Sequence, residues 1–148
     1  ALSKLTFIIA ALWASASNFV LAADYMSIAE GPAIFYDAPS TKAKKIFVGS
    51  RYLPLEQVVS LDGWAKVRDS SGKLSWVAKR MLSDKRMVLV TAALVSARKM
   101  PEAGAAIVFQ TKLNVSLEWL EDTHTGWIKV RHLDGATGYV KTSEVWGN

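Results

Sequence analysis

The hexapeptide Gly63-Trp64-Ala65-Lys66-Val67-Arg68 is written again as Gly126-Trp127-Ile128-Lys129-Val130-Arg131, with five of six residues identical at an offset of 63. Downstream, Gly72 returns as Gly135, Trp76 as Tyr139 and Val77 as Val140, all at the same offset. An ungapped echo of this kind is an internal repeat, and it constrains the architecture before any other feature does. In a chain of 148 residues it calls for two small domains of about 60 residues each, near the lower limit at which a domain folds without a staple. There is no cysteine, so disulfides and thiolate metal centres are excluded. The two histidines, His124 and His132, have seven residues between them and fall short of the three or four ligands zinc needs.

Each copy of the repeat reads as a half-buried strand. Ala65 and Val67, or Ile128 and Val130, point one way; Trp64, Lys66 and Arg68, or Trp127, Lys129 and Arg131, point the other. Asp62-Gly63 ahead of the first copy is a tight hairpin turn. Further short β-prone runs are Ala33-Ile34-Phe35-Tyr36, Ile46-Phe47-Val48, Leu74-Ser75-Trp76-Val77, Ala92 to Arg98, Ile107-Val108-Phe109, Leu113 to Leu120 and Gly138-Tyr139-Val140. Tyr52 to Leu61, broken by Pro54 and Glu56, reads as an irregular or edge strand. The turns between them include Gly31-Pro32, Asp69 to Gly72, Pro101 to Gly104 and Leu133-Asp134-Gly135. Ala78 to Asp84 has room for one helical or 3-10 turn only. Short strands, frequent turns and no long 3.6-residue period predict all-β folding into two tandem small barrels of about five strands each. Met87-Val88-Leu89-Val90 separates the copies as an unbroken apolar run, unlike a flexible linker, so the domains are expected to pack together.

The amino terminus follows a different pattern. Lys4 is the only charge before Asp24, Leu5 to Trp13 is mostly apolar, and small residues lead to Val20-Leu21-Ala22. That order is the signature of a secretory signal peptide, with cleavage after Ala22 or, second, Ala23. The alternative is an uncleaved membrane anchor. The expected division is residues 1–22 signal peptide, 24–85 first barrel and 86–148 second barrel. Losing Lys4 takes the net charge from +5 to +4, a mild balance that points to envelope polymers or headgroups rather than nucleic acid.

A Pro-bearing loop before a strand, then Gly-Trp-x-Lys-Val-Arg, a Gly turn and Trp-Val or Tyr-Val, resembles the bacterial SH3-type domain. The first copy is close to the subgroup marked by W-x-x-V-R-D followed by G-x-x-x-W-V, and the second to the general form. Tyr139 stands where the family usually has Trp, and Leu74-Ser75 replaces a small residue and Gly before Trp76. The resemblance covers almost all of the chain after residue 22. It implies SH3-like barrels and a role in binding cell-wall or envelope components, outside the cytoplasm and most simply in the periplasm.

No catalytic machinery is legible. There is no Cys nucleophile, G-x-S-x-G elbow or phosphate loop, and no cofactor motif. Glu118, Glu121 and Asp122 read as solvated turn charges rather than an acid/base pair. The expected function is non-catalytic binding of peptidoglycan peptides or another envelope component. Candidate ligand residues are Trp64, Lys66 and Arg68, their counterparts Trp127, Lys129 and Arg131, and Tyr36 with Asp37, which border the groove in this fold. An aromatic plane beside cations can stack a sugar or peptide and pair its carboxylates. Read more simply, each Trp caps its barrel while Lys and Arg wet the outer face. The alternative function is a protein–protein adaptor using a composite two-barrel surface, which predicts an exposed apolar patch around Met87 to Val90.

Overall fold

In the computed structural model, which describes residues 23–148, both copies of the hexapeptide form the middle strand of a seven-stranded antiparallel sheet. The expected signal peptide lies outside the described residues. The first sheet contains β1 (Asp24–Ile28), β2 (Ala33–Tyr36), β3 (Lys45–Gly49), β4 (Pro54–Leu61), β5 (Trp64–Arg68), β6 (Leu74–Ala78) and the two-residue β7 (Leu82–Ser83). The second contains β8 (Met87–Val90), β9 (Leu94–Arg98), β10 (Ile107–Lys112), β11 (Ser116–Asp122), β12 (Trp127–Arg131), β13 (Thr137–Lys141) and β14 (Val145–Trp146). Strand order is β3-β2-β6-β5-β4-β1-β7 in one and β10-β9-β13-β12-β11-β8-β14 in the other, the same topology twice. A 3-10 turn, Lys79–Met81 or Thr142–Glu144, precedes the last strand of each.

The alternation of the repeat explains the packing. Ala65, Val67, Ile128 and Val130 are fully buried, while the residues between them are only partly covered. Val67 joins Ile28, Phe35, Leu55 and Val77 in the first core; Val130 joins Val90, Val95, Leu117 and Val140 in the second. Each such fully buried aliphatic side chain contributes roughly 1.5–3 kcal/mol. The turn glycines Gly63 (φ 73°) and Gly126 (φ 90°) have open space where a Cβ would sit, so backbone conformation rather than crowding requires glycine there. Their carbonyls accept hydrogen bonds from Lys79 N (3.0 Å) and Thr142 N (3.0 Å), which tie each 3-10 turn to the start of the Trp strand.

Several boundaries differ from the sequence reading. Each sheet has seven strands rather than about five, because Asp24–Ile28 is a strand and the segment after each 3-10 turn adds a short one. Residues 54–61 are an interior strand, not an edge: Pro54 is its first residue, and a bulge between Gln57 and Val59 absorbs the irregularity. The strand expected from Leu113 starts at Ser116, because Asn114 turns with φ 68°.

The largest correction concerns residues 87–90. All four are buried, at 1%, 0%, 5% and 0% exposure. Val88 and Val90 face the second core, whereas β8 also lies against β1 and β4 of the first barrel. A strand buried on both faces reads as a continuous apolar run. The exposed patch expected of the adaptor is therefore absent at this run.

The same junction holds Arg86. Its guanidinium lies 5.2 Å from the centroid of Tyr25 in the first barrel and 4.7 Å from that of Trp119 in the second, and Nη2 donates to Gly147 O at 2.8 Å. Tyr25 meets Trp146 edge-on at 5.5 Å, and Ser27 Oγ donates to Lys85 O at 2.8 Å. Burial in this junction, and secondarily the nearby Glu56 carboxylate, raises the Tyr25 phenol above its ordinary value.

Candidate functional site

The outward half of each hexapeptide divides into two ends. Trp64 and Arg68 are four residues apart on one strand, about 13 Å, so one small ligand does not bridge them. At the arginine end, Arg68 Nη1 donates to Glu56 Oε2 at 3.2 Å, and Arg131 Nη1 to Glu118 Oε2 at 3.2 Å. These are equivalent cross-strand pairs, β4 to β5 and β11 to β12. Each arginine thus has a carboxylate of its own barrel beside it, engaged through one of its donors. Glu118, Glu121 and Asp122, read from sequence as turn charges, all lie on β11 in register with β12.

In the middle, Lys66 Nζ lies 5.9 Å from the ring centroid of its register partner Trp76, and Lys129 Nζ 6.0 Å from that of Tyr139. Trp76 and Tyr139 are half-buried on the outer face, because Ser75, Val77 and Val140 take the inward positions. Each ammonium thus stands over an aromatic ring at the outer limit of cation–π range. Asp37 is exposed and closes the β2–β3 loop: its Oδ1 accepts from Lys44 N at 3.1 Å, and its own N donates to Lys44 O at 3.0 Å.

At the tryptophan end the two barrels part. In the first, Tyr36 is 8% exposed and meets Trp64 edge-on at 5.6 Å. In the second, the position of Tyr36 is held by Arg98, and a cleft of about 140 Å³ opens beside Trp127. Leu94, Ser96 and Arg98, alternate residues on one face of β9, form one wall. Trp127 at the start of β12, Lys141 at the end of β13, Glu144 of the 3-10 turn and Ala103 of the β9–β10 loop form the rest. Lys141 Nζ lies 5.9 Å from the Trp127 centroid. Arg98 Nη1 donates to Ala105 O at 2.8 Å, and Glu144 Oε1 accepts from Lys141 N at 3.1 Å.

Of the expected residues, the structure brings together Tyr36 with Trp64, and leaves Arg68 and Arg131 at the opposite end. Arg98, Lys141, Glu144 and Ser96 were not singled out from sequence. The signal for Arg98 was present: residues 33–36 and 95–98 correspond at an offset of 62, which places Arg98 where Tyr36 stands.

A larger hollow of about 420 Å³ lies between Ala23 and Asp24 and the bulged segment 56–60. Among the described residues its lining is aliphatic, polar and acidic, without an aromatic or a cation. The cleft beside Trp127 is the better candidate on chemistry. Among the described residues no group of three or more His, Asp and Glu side chains is placed to hold a metal ion.

No curated protein matches the chain. Among solved structures, NlpC2 from Trichomonas vaginalis is similar at 11% identity and a TM-score of 0.38, over 86% of this chain and 49% of that one. NlpC1 from Trichomonas vaginalis is similar at 14% identity and a TM-score of 0.38, over 90% of this chain and 49% of that one. The chain thus spans about half the length of these structures, and neither likeness is close enough to bear on function. The model of the bacterial SH3 domain matches twice, at residues 29–84 and 91–147, one match on each sheet. With both barrels so matched, the chain belongs to the bacterial SH3 domain family, as a tandem pair.

Proposed function

We propose that this chain is a non-catalytic binding module of the bacterial cell envelope that recognises peptidoglycan peptides. The observation that carries it is the aromatic end of each barrel. Trp64 with Tyr36, and Trp127 with its cleft, offer flat apolar surface beside polar groups, the composition suited to a peptide plane. Membership of a family that commonly binds peptidoglycan or envelope components supports the same ligand class. The arginine ends contribute framework, since each is engaged by its own glutamate.

The absence of cysteine removes the Cys/His route of cell-wall peptide hydrolysis from this chain, in keeping with binding without turnover. Export to the periplasm accords with residues 1–22, whose order of basic end, apolar stretch and small residues is that of a signal peptide. The adaptor reading has lost its main support, because residues 87–90 are consumed by the junction.

Retention on purified peptidoglycan sacculi tests the proposal. Wild type is expected to sediment with sacculi, and the double variant Trp64→Ala, Trp127→Ala to remain in the supernatant while keeping its folded spectrum. Failure of the wild type to sediment overturns the wall assignment.

A further inference from the structure

We propose that the cleft of the second barrel is a site for the free carboxylate of a short peptide ending in a small apolar residue, and that the first barrel has no such site. The inference rests on the peptide-binding reading above for the source of the ligand, and on the cleft's own side chains for its chemistry.

Three charges line the cleft: Arg98, Lys141 and Glu144. Their sum is one positive charge, which a single carboxylate neutralises. A doubly charged phosphate would overshoot it and face Glu144 at close range. Arg98 is held in place through Nη1 by the Ala105 carbonyl, which leaves most of its five N–H donors available. A guanidinium fixed in this way presents a planar fork that matches a carboxylate. Lys141 supplies the second cation from across the cleft and rests near the Trp127 ring. The Ser96 hydroxyl accepts from Gln110 Nε2 at 3.1 Å, and its own proton is free to donate toward the cleft.

Size and lining limit what accompanies the carboxylate. A volume of about 140 Å³ corresponds to roughly five water molecules. It admits a terminal carboxylate with a methyl-sized side chain against Leu94, Ala103 and Trp127, and no whole disaccharide. The equivalent positions of the first barrel are Ile34 for Ser96, Tyr36 for Arg98, Ala78 for Lys141 and Met81 for Glu144. None is a cation, and the buried Tyr36 ring stands beside Trp64. The two grooves therefore differ in ligand chemistry although their strands are the same.

The test is titration of the full chain with dialanine at millimolar concentration, followed by backbone and indole nuclear magnetic resonance signals. Dialanine is expected to shift Ser96, Arg98, the Trp127 indole and Lys141, and its C-terminal amide to bind at least about tenfold more weakly, since it lacks the charge-assisted bonds. Arg98→Gln and Lys141→Gln are each expected to weaken binding about tenfold. Lys141 is exposed at the end of its strand, and its bond to Glu144 is made by the backbone N–H, which glutamine retains, so its variant is expected to fold as wild type. Lys42→Gln, in an exposed loop of the first barrel, controls for net charge and is expected to bind as wild type. Equal binding of acid and amide, shifts confined to the first barrel, or no shift overturns the proposal. If sacculi retain the chain but dialanine leaves the cleft signals unmoved, the carboxylate site fails and the wall-binding reading stands. If dialanine fills the cleft and sacculi do not retain the chain, the wall-binding reading fails and the carboxylate site stands.

Discussion

On the inner face of the first barrel, β2 contributes Phe35 and β5 contributes Ala65; in the second, the matching positions on β9 and β12 hold Ala97 and Ile128. All four are fully buried. Bulk has moved from one strand to another while the sum stays similar, with Phe35 stacked at 4.3 Å on Phe47 in one barrel and Ile128 supplying volume in the other. Outside, the same pair of barrels exchanges Tyr36, Ala78 and Met81 for Arg98, Lys141 and Glu144. The inner exchange conserves volume and so conserves the fold. The outer exchange alters charge and opens a cleft, and so bears on ligand choice. Of what the two barrels hold in common, the turn glycine, the ring beside each lysine and the Arg–Glu pair are therefore framework, while each shared Trp takes its ligand chemistry from the neighbours that differ.

The core exchange gives the largest expected effect. Ile128→Ala leaves the second barrel alanine at both positions and is expected to cost about 2–5 kcal/mol. Ala65→Ile places a second large group beside Phe35 and costs about 1–3 kcal/mol through overpacking. If the exchange is compensatory, Phe35→Ala combined with Ala65→Ile reproduces the second barrel's arrangement and loses less than the two single changes added together. Urea unfolding of the single and double variants measures this. Strict additivity would show that the two positions fill separate spaces.

The junction ranks next, and it tests whether the barrels behave as one body. Arg86→Ala removes two cation–π contacts and the hydrogen bond to Gly147 O, an expected loss of about 2 kcal/mol. Calorimetry is expected to show a single unfolding transition splitting into two, because the junction then keeps only the apolar burial of β8, the Tyr25–Trp146 contact and the Ser27–Lys85 hydrogen bond. Arg86→Lys is not expected to restore the single transition, since an ammonium cannot lie flat between two rings. A single transition in Arg86→Ala would show that burial of Met87 and Leu89 couples the barrels without it.

How much of this was legible in the sequence follows from the physics of strands. The period-2 alternation of the hexapeptide reports burial directly, so Ala65, Val67, Ile128 and Val130 could be placed inward from the text. Cross-strand partners are set by register, which alternation does not encode. Bulges between Gln57 and Val59 and between Trp119 and Glu121 shift that register, so the Glu56–Arg68 and Glu118–Arg131 pairs could not be read off. Arg98 escaped for a related reason. The hairpin before β12 is longer than the Asp62-Gly63 turn, so the offset between copies is 62 before it and 63 after it, and an echo sought at 63 loses its first half. Tyr52, read as part of an irregular strand, stands at φ 73° where its counterpart Asn114 stands at φ 68°. Asparagine suits the left-handed region and tyrosine does not, so residue type alone did not mark the turn as shared.

The smallest effect expected is electrostatic and lies in the loops of the second barrel. Asp122 Oδ1 accepts from His124 N at 2.7 Å and Asp134 Oδ1 from Ala136 N at 2.9 Å. These backbone hydrogen bonds hold both carboxyls below the ordinary value of 3.8. A carboxylate whose folded value is depressed adds stability in full above 3.8 and loses it as the pH falls through the lowered folded value. Acid titration from about pH 5 downward is therefore expected to move the His124 and Ala136 amide signals late, below 3.8, and to loosen their loops only there. Asp134→Asn is expected to flatten the Ala136 profile and leave that of His124 in place. Because Asp134 is exposed and Asp122 lies at the end of its strand, outside the core cluster, the barrel as a whole is expected to stay folded through this change. Unfolding of the second barrel in step with these two signals would mean that its turns, and not its exchanged core, hold its two sides together.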